Sequence, residues 1–219
     1  RELFRIHSKL IYQLDYFTSQ KKIFIDPFPE SYAKTLFSLL NLQENTLEKL
    51  IIILEDRNRI QSLWSSTNAS VKNALVHLKQ RGYQMSVISN SDGRVSEILG
   101  DLDLNIYFDQ IFDSKILDVS KPNPQIFDIA VNQLTLERDN TIYIGDIFYI
   151  DVWGANNASL GAIHLDPFNL YKGWPGIHLQ DIFSLLDWLE NYLRSPWKYD
   201  LFPLGNQEIE YRLNTPKKV

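Results

Sequence analysis

Five polar residues stand at the ends of short apolar segments or at the start of a helix, and together they could bind a phosphate and a metal ion. They are Ser89, Asn90, Lys121, Asp146 and Asp151. A phosphate needs hydrogen-bond donors and a positive charge, while magnesium needs one or two carboxylates with phosphate oxygens and water. A hydroxyl with neighbouring backbone N–H groups, one ammonium and two carboxylates therefore indicate magnesium-assisted phosphoryl transfer.

The elements around these residues explain why they should meet. Ser89 and Asn90 follow the predicted strand 85–88, and Asp146 follows the predicted strand 141–144. Strands that alternate with helices predict βα units on a parallel sheet. In such a sheet ligands bind at the carboxyl ends of the strands, so we expect all five side chains at one edge.

The whole chain divides into a helical first third and an α/β remainder. The predicted fold class is α/β, with a Rossmann-like parallel sheet core flanked by helices and a helical cap domain. We expect the cap over 1–67, the core over 68–194 and a surface extension over 195–219, where three prolines and no periodicity occur. Helices are predicted over 3–17, 30–42, 46–64, 70–81, 124–134, 152–159 and 181–192 and from Val95, and strands over 85–88, 110–112, 141–144 and 162–165.

Composition narrows the function classes. The 219 residues are 44% hydrophobic and 22% charged, as in a globular protein that buries a core. The net charge of -5 argues against a nucleic-acid partner, and no apolar stretch is long enough for a membrane span. The absence of cysteine excludes thiolate chemistry and fits a reducing cytoplasm. Oligomeric state leaves no trace in the sequence.

Three segments resemble three of the four motifs of the haloacid dehalogenase-like hydrolases. Val87–Asn90 is similar to the second motif, an apolar strand ending in Ser/Thr-Asn. The segment 121–127, Lys-Pro-Asn-Pro-Gln-Ile-Phe, is similar to the third motif, and 143–151 is similar to the fourth, Gly-Asp-x-x-x-x-Asp. The match runs from about Asn68 to Asp187 with the motifs in the right order.

The resemblance implies a role for each residue. Ser89 and the Asn90 backbone would hold phosphoryl oxygens, and Lys121 would neutralise charge on the nucleophile and the transferring group. Asp146 would ligate Mg²⁺, and Asp151 would support the ion or Lys121. The substrate would be a small phosphorylated metabolite, hydrolysed through an aspartyl-phosphate.

The first motif of that family, an Asp-x-Asp after an apolar strand that supplies the nucleophile, has no counterpart in the chain. The chain opens on Arg1 within a helical pattern, so we expect the missing strand immediately upstream. The segment 22–26 ends in Asp26 and imitates the motif, but Phe28 stands where the second acid should be. We therefore interpret this segment as a loop in the cap.

Other interpretations stay open at this point. Ser89-Asn90 alone is typical of a turn, Lys121 of a solvated lysine, Asp146 of a helix N-cap and Asp151 of a first-turn aspartate. The protein could be a catalytically inactive relative that serves as a binding module, and an Asp-x-Asp in the upstream coding sequence would argue against this. It could also be a metal-independent dehalogenase, which would have little use for paired aspartates.

Overall fold

The chain forms two compact units, Arg1–Leu63 with Gln207–Val219, and Trp64–Asn206. The structure is a computed structural model and describes residues 2–21, 23–25, 43–60, 62, 66–67, 69–194, 201–203 and 210–212. Each unit is considered separately below.

The first unit contains two long helices and a two-stranded parallel sheet. Helix α1 spans Glu2–Lys21 and α2 spans Glu44–Ile60. Strand β1, Ile23–Ile25, pairs in parallel with Glu210–Arg212, which is the last strand of the chain, β7.

The interpretation of 22–26 as a loop is therefore wrong for its central residues. Ile and Phe favour a pleated strand, but the partner of β1 lies at the other end of the sequence, where local periodicity cannot reveal it. Asp26 and the helix predicted over 30–42 lie outside the described residues.

The second unit confirms the predicted α/β class. Its five strands are β2 Ser86–Ser89, β3 Gln110–Asp113, β4 Ile142–Gly145, β5 Gly161–Leu165 and β6 His178–Leu179. Its helices are α3 Ala69–Gln80, α4 Val95–Asp101, α5 Ser114–Leu117, α6 Pro124–Gln133, α7 Trp153–Asn157 and α8 Ser184–Arg194. Short 3₁₀ turns occupy Asn105–Tyr107 and Arg138–Asn140, and a π-helical turn, Phe148–Val152, leads into α7.

The strands of this unit form two parallel groups. One group is β2 with β3, and the other is β4, β5 and β6 in that order. Among the described residues, β2 and β4 are each paired along one edge only. Both strands are half-buried, whereas β5, in the middle of its group, is almost fully buried.

The core beneath the sheet is apolar and includes a residue expected on the surface. Ile163 of β5 packs with Leu78 of α3 and with Leu185 and Trp188 of α8. Leu201, predicted to lie in a surface extension, is buried in this cluster, and its carbonyl accepts a 2.9 Å hydrogen bond from the Ala162 N–H. The prediction of a surface position is wrong for Leu201, because a single buried side chain produces no repeat in the sequence.

Within the described ranges, none of the helices is both long and apolar enough to span a bilayer.

Candidate active site

The carboxyl ends of β2 and β4 carry the predicted site residues. Ser89 is the last residue of β2, and Asn90 follows it directly. Asp146 follows β4 directly, and Asp151 lies in the buried π-helical turn that comes next. A π-helical turn inserts an extra residue into a helix and is common at functional sites.

Lys121 reaches this edge from the loop before α6 and contacts one carboxylate and one hydroxyl group. Its ammonium lies 2.7 Å from Asp151 Oδ1 and 2.8 Å from the Tyr143 hydroxyl, with the two charged side chains 11% and 3% exposed. Burial alone would lower the pKa of Lys121, but the charge and hydrogen bond of Asp151 outweigh it and hold the pKa above its ordinary value. Lys121 is therefore a fixed cation. An ammonium has three N–H donors, of which these contacts use two.

The hydroxyl of Tyr143 links β4 to β2. It accepts from Lys121 and lies 3.2 Å from the Ile88 carbonyl and 3.3 Å from Asp151 Oδ1, to either of which it can donate. Burial raises the pKa of Tyr143 although Lys121 opposes the shift, so the phenol keeps its proton. Phe127 holds the ring edge-to-face at a centroid distance of 4.9 Å.

Both carboxylate oxygens of Asp151 are occupied. Oδ1 accepts from Lys121, and Oδ2 accepts a 2.9 Å hydrogen bond from the Ile147 N–H. The carboxylate also packs against Gly145 so closely that a Cβ at that position would overlap it. Gly145 is thus needed for this side chain to fold back beneath the end of β4.

Asp146 is the free carboxylate of the site. It is exposed and forms no salt bridge within the described part of the chain. Desolvation by the surrounding protein and repulsion from Asp151 raise the pKa of Asp146 to about 6, although Lys121 opposes the shift. A carboxylate that is both solvent-facing and held at unfavourable negative potential suits a bound cation.

Asn90 ties the second predicted motif to the third. Its side-chain amide donates to the Lys121 carbonyl at 2.9 Å and accepts from the Lys121 N–H at 2.8 Å. The pair of bonds fixes the backbone from which the lysine side chain projects. Ser89 is half-buried, and its hydroxyl makes no hydrogen bond to another described residue.

The donor set fits magnesium better than a metal that requires a protein cage. Nowhere in the described ranges do three or more His, Asp or Glu side chains converge on one point. Magnesium is commonly held by one or two carboxylates, with phosphate oxygens and water completing its shell. Asp146, whose carboxylate is exposed, meets that requirement.

Comparison with known proteins agrees with this geometry. The sequence pattern of the haloacid dehalogenase-like hydrolases matches residues 5–164. The chain belongs to this family. Solved structures agree at the level of the fold: the haloacid dehalogenase-like hydrolase YfnB from Bacillus subtilis, solved bound to magnesium, superposes with a TM-score of 0.60 at 16% identity, covering 86% of this chain and 83% of that one.

Two curated relatives are similar over shorter stretches. The glyceraldehyde 3-phosphate phosphatase of Methanothermobacter thermautotrophicus is 33% identical over 90 residues, 41% of this chain and 40% of that protein. The human haloacid dehalogenase-like hydrolase domain-containing protein 3 is 34% identical over 83 residues, 38% of this chain and 33% of that protein. In these alignments the chain spans less than half the length of each relative.

Two residues that shape this candidate site, Tyr143 and Asp113, were not predicted from the sequence. The fourth motif assigns no role to Tyr143, although residues two apart on a strand share a face and Tyr143 therefore lies on the same face as Gly145. Asp113, buried at the end of β3, accepts hydrogen bonds from the Gly93, Val95 and Lys115 N–H groups. It holds the loop after Asn90. A polar residue at a third strand end was the signal that could have revealed it.

Proposed function

We propose that the intact protein hydrolyses a small phosphomonoester with the help of Mg²⁺ and through an aspartyl-phosphate. The observation that carries the proposal is the cluster at the end of β4: the Lys121–Asp151 pair, buried, beside the exposed Asp146 carboxylate. A fixed cation next to a free carboxylate suits the binding of a phosphate together with a divalent cation.

The two aspartates take different roles in this proposal. Asp146 ligates the metal, because its carboxylate is exposed and unpaired within the described residues. Asp151 orients Lys121, because both of its oxygens already accept hydrogen bonds. Once bound, the metal would offset negative charge on the phosphoryl oxygens.

The remaining groups bind the phosphate. Lys121 directs its third N–H at a phosphoryl oxygen, and the Ser89 hydroxyl donates to another. Asn90 keeps Lys121 in place through the paired hydrogen bonds to its backbone. Because the chain contains no Asp-x-Asp after an apolar strand, we place the nucleophile on a strand that would pair with the edges of β2 and β4 that have no partner among the described residues.

The substrate is proposed to be a small phosphorylated metabolite, of the kind named for the archaeal glyceraldehyde 3-phosphate phosphatase. The helical region predicted over 1–67 would serve as the cap that selects it. We propose a cytoplasmic location, with which a chain free of cysteine is compatible.

The test uses the full-length natural protein, an aryl phosphate, glyceraldehyde 3-phosphate and a 2-haloacid, each with and without Mg²⁺. We expect Mg²⁺-dependent release of phosphate, lost in Lys121→Met. The control is Lys72→Met. Lys72 lies on α3 and forms an exposed ion pair with Asp103, and the variant should stay active. Absence of turnover would favour an inactive binding module, and metal-independent release of halide would favour a dehalogenase.

A further inference from the structure

Two histidines lie in a row across the strands beside the Asp146 backbone. In the register of the sheet Gly145 of β4 is opposite His164 of β5, and His164 is opposite His178 of β6. His164 is fully buried, with 1% of its surface exposed. Its Nε2 lies 3.2 Å from the Asp146 carbonyl oxygen, and its Nδ1 lies 3.0 Å from His178 Nδ1. None of the roles proposed above uses either histidine.

The acceptors in this row determine where the protons are. A carbonyl oxygen only accepts, so His164 Nε2 must carry the proton that it donates to Asp146. In a neutral imidazole the other nitrogen then has a lone pair, so His164 Nδ1 must accept from a His178 Nδ1–H. The chain of hydrogen bonds therefore runs in one direction, from His178 to His164 to the Asp146 carbonyl.

The surroundings keep His164 neutral. The ring is edge-to-face with Tyr171 at 4.3 Å and with Phe148 at 5.4 Å between centroids. Burial among these rings disfavours the charged form of the imidazole.

The second histidine can donate to His164 in either of its charge states. Burial also lowers the pKa of His178, although the carbonyls of Trp174 and Pro175 oppose the shift. His178 Nε2 is buried with no hydrogen-bond partner among the described residues. The proton on Nδ1 is present whether or not Nε2 is protonated, so the donation to His164 does not depend on the charge of His178.

The consequence is that the peptide group between Asp146 and Ile147 is held at both ends. Its carbonyl accepts from His164, and its N–H donates to Asp151 Oδ2 at 2.9 Å. A peptide group with both polar atoms bonded to buried side chains cannot rotate freely, and its orientation sets the direction of the Asp146 Cα–Cβ bond. His164 therefore fixes the orientation of the Asp146 carboxylate through the backbone, and His178 fixes His164.

We propose that His164 is a positioning residue for Asp146, held by His178 in the Nε2–H form. The inference deepens the proposed function and rests on it in one respect, the binding of Mg²⁺ by Asp146. Loss of the donor should weaken Mg²⁺ binding by about tenfold, the lower end of what the removal of groups behind a metal ligand costs.

One arm of the test measures protonation in the wild-type full-length protein by ¹⁵N NMR of the imidazoles at pH 7.5, with assignments from single substitutions. We expect a protonated Nε2 and an unprotonated Nδ1 for His164, and a protonated Nδ1 for His178. A proton on His164 Nδ1, in a neutral or a charged ring, overturns the proposal. This arm needs neither turnover nor a metal.

The second arm follows Mg²⁺ binding through the amide resonance of Ile147, alongside the Mg²⁺ midpoint of turnover. His164→Gln keeps an N–H near the position of Nε2 and should remain near the wild-type midpoint. His164→Leu removes the donor and should raise the midpoint about tenfold while the KM for the phosphoester changes little. His77→Leu, at an exposed position on α3, is the control.

The outcomes separate the two hypotheses. Wild-type protein without Mg²⁺-dependent turnover contradicts the proposed function, whatever the imidazole protonation. Active wild-type protein in which His164→Leu binds Mg²⁺ as well as His164→Gln contradicts the positioning role. If His164→Leu does not fold, His178→Leu replaces it. We expect His178→Leu to raise the Mg²⁺ midpoint by less than tenfold, and an unchanged Mg²⁺ midpoint would contradict the proposal.

Discussion

Substitution of Asp146 by Asn separates a metal ligand from a carboxylate with a structural role. The structure raises the pKa of Asp146 from 3.8 to about 6, first through desolvation and then through repulsion from Asp151. A raised aspartate pKa means that the folded state binds the proton more tightly, so folding is favoured below pH 4 and this advantage is lost as the pH rises through 6. Above pH 6 the ionised Asp146 therefore destabilises the metal-free protein.

The size of that destabilisation follows from the shift. Two pKa units correspond to ~2.7 kcal/mol for a fully enclosed group. Asp146 is exposed, so solvent screening reduces the figure, and we expect a cost of ~1 kcal/mol. Asp146→Asn should thus stabilise the metal-free protein by ~1 kcal/mol at pH 7.5 and by almost nothing at pH 4, where the wild-type carboxyl is mostly protonated in the folded state.

The assay is urea unfolding of the full-length protein at both pH values, with a Mg²⁺ titration at pH 7.5. Magnesium should stabilise the wild type, and in Asp146→Asn the midpoint of that effect should rise at least tenfold, which is ~1.4 kcal/mol of binding free energy. Asp139→Asn is the matched control, because it removes the same charge from an exposed turn before β4. Its stability should not depend on Mg²⁺ differently from the wild type. If Asp146→Asn destabilises the metal-free protein at pH 7.5, or leaves the Mg²⁺ midpoint unchanged, the assignment of Asp146 as a ligand is refuted.

Two further predictions concern the groups behind Asp146. Lys121→Met and Asp151→Asn should each lower the unfolding free energy by ~3–5 kcal/mol, because each leaves a buried charged partner uncompensated. The double variant should lose much less than the sum of the two. Additive losses in urea unfolding would show that the pair is not coupled. Gly145→Ala should cost ~1–3 kcal/mol, because its Cβ would overlap the Asp151 carboxylate. Gly100→Ala, with no atom near its Cβ, should be neutral or stabilising in the same melting experiment, and equal effects of the two alanines would contradict the packing argument.

The sequence was informative where local pattern and motif spacing coincide. The α/β class and the strands that carry Ser89 and Asp146 could be predicted because an apolar run followed by a polar residue is a local signal. Strand β1 could not, because three residues without a near partner give no period, and the residues with which they pair, Glu210–Arg212, are distant in sequence. Side-chain partners were also beyond prediction: the spacing brings Asp146 and Asp151 to one strand end but does not indicate which carboxylate Lys121 approaches.

Asp146 and Asp151 illustrate why the same residue type five positions apart can take two roles. Gly145 leaves room for Asp151 to fold beneath the strand, where it accepts from Lys121 and from the Ile147 N–H and is 3% exposed. The same peptide group provides the carbonyl that accepts from His164. Asp151 and His164, both buried, therefore hydrogen-bond to the two polar atoms of one peptide group. The carboxylate of Asp146, attached to that peptide, is exposed but partly desolvated by the protein around it, and it is repelled by the charge of Asp151. A cation is the group that would relieve this arrangement, because it offers the Asp146 oxygens a charge that the Lys121 ammonium, committed to Asp151, supplies only at a distance.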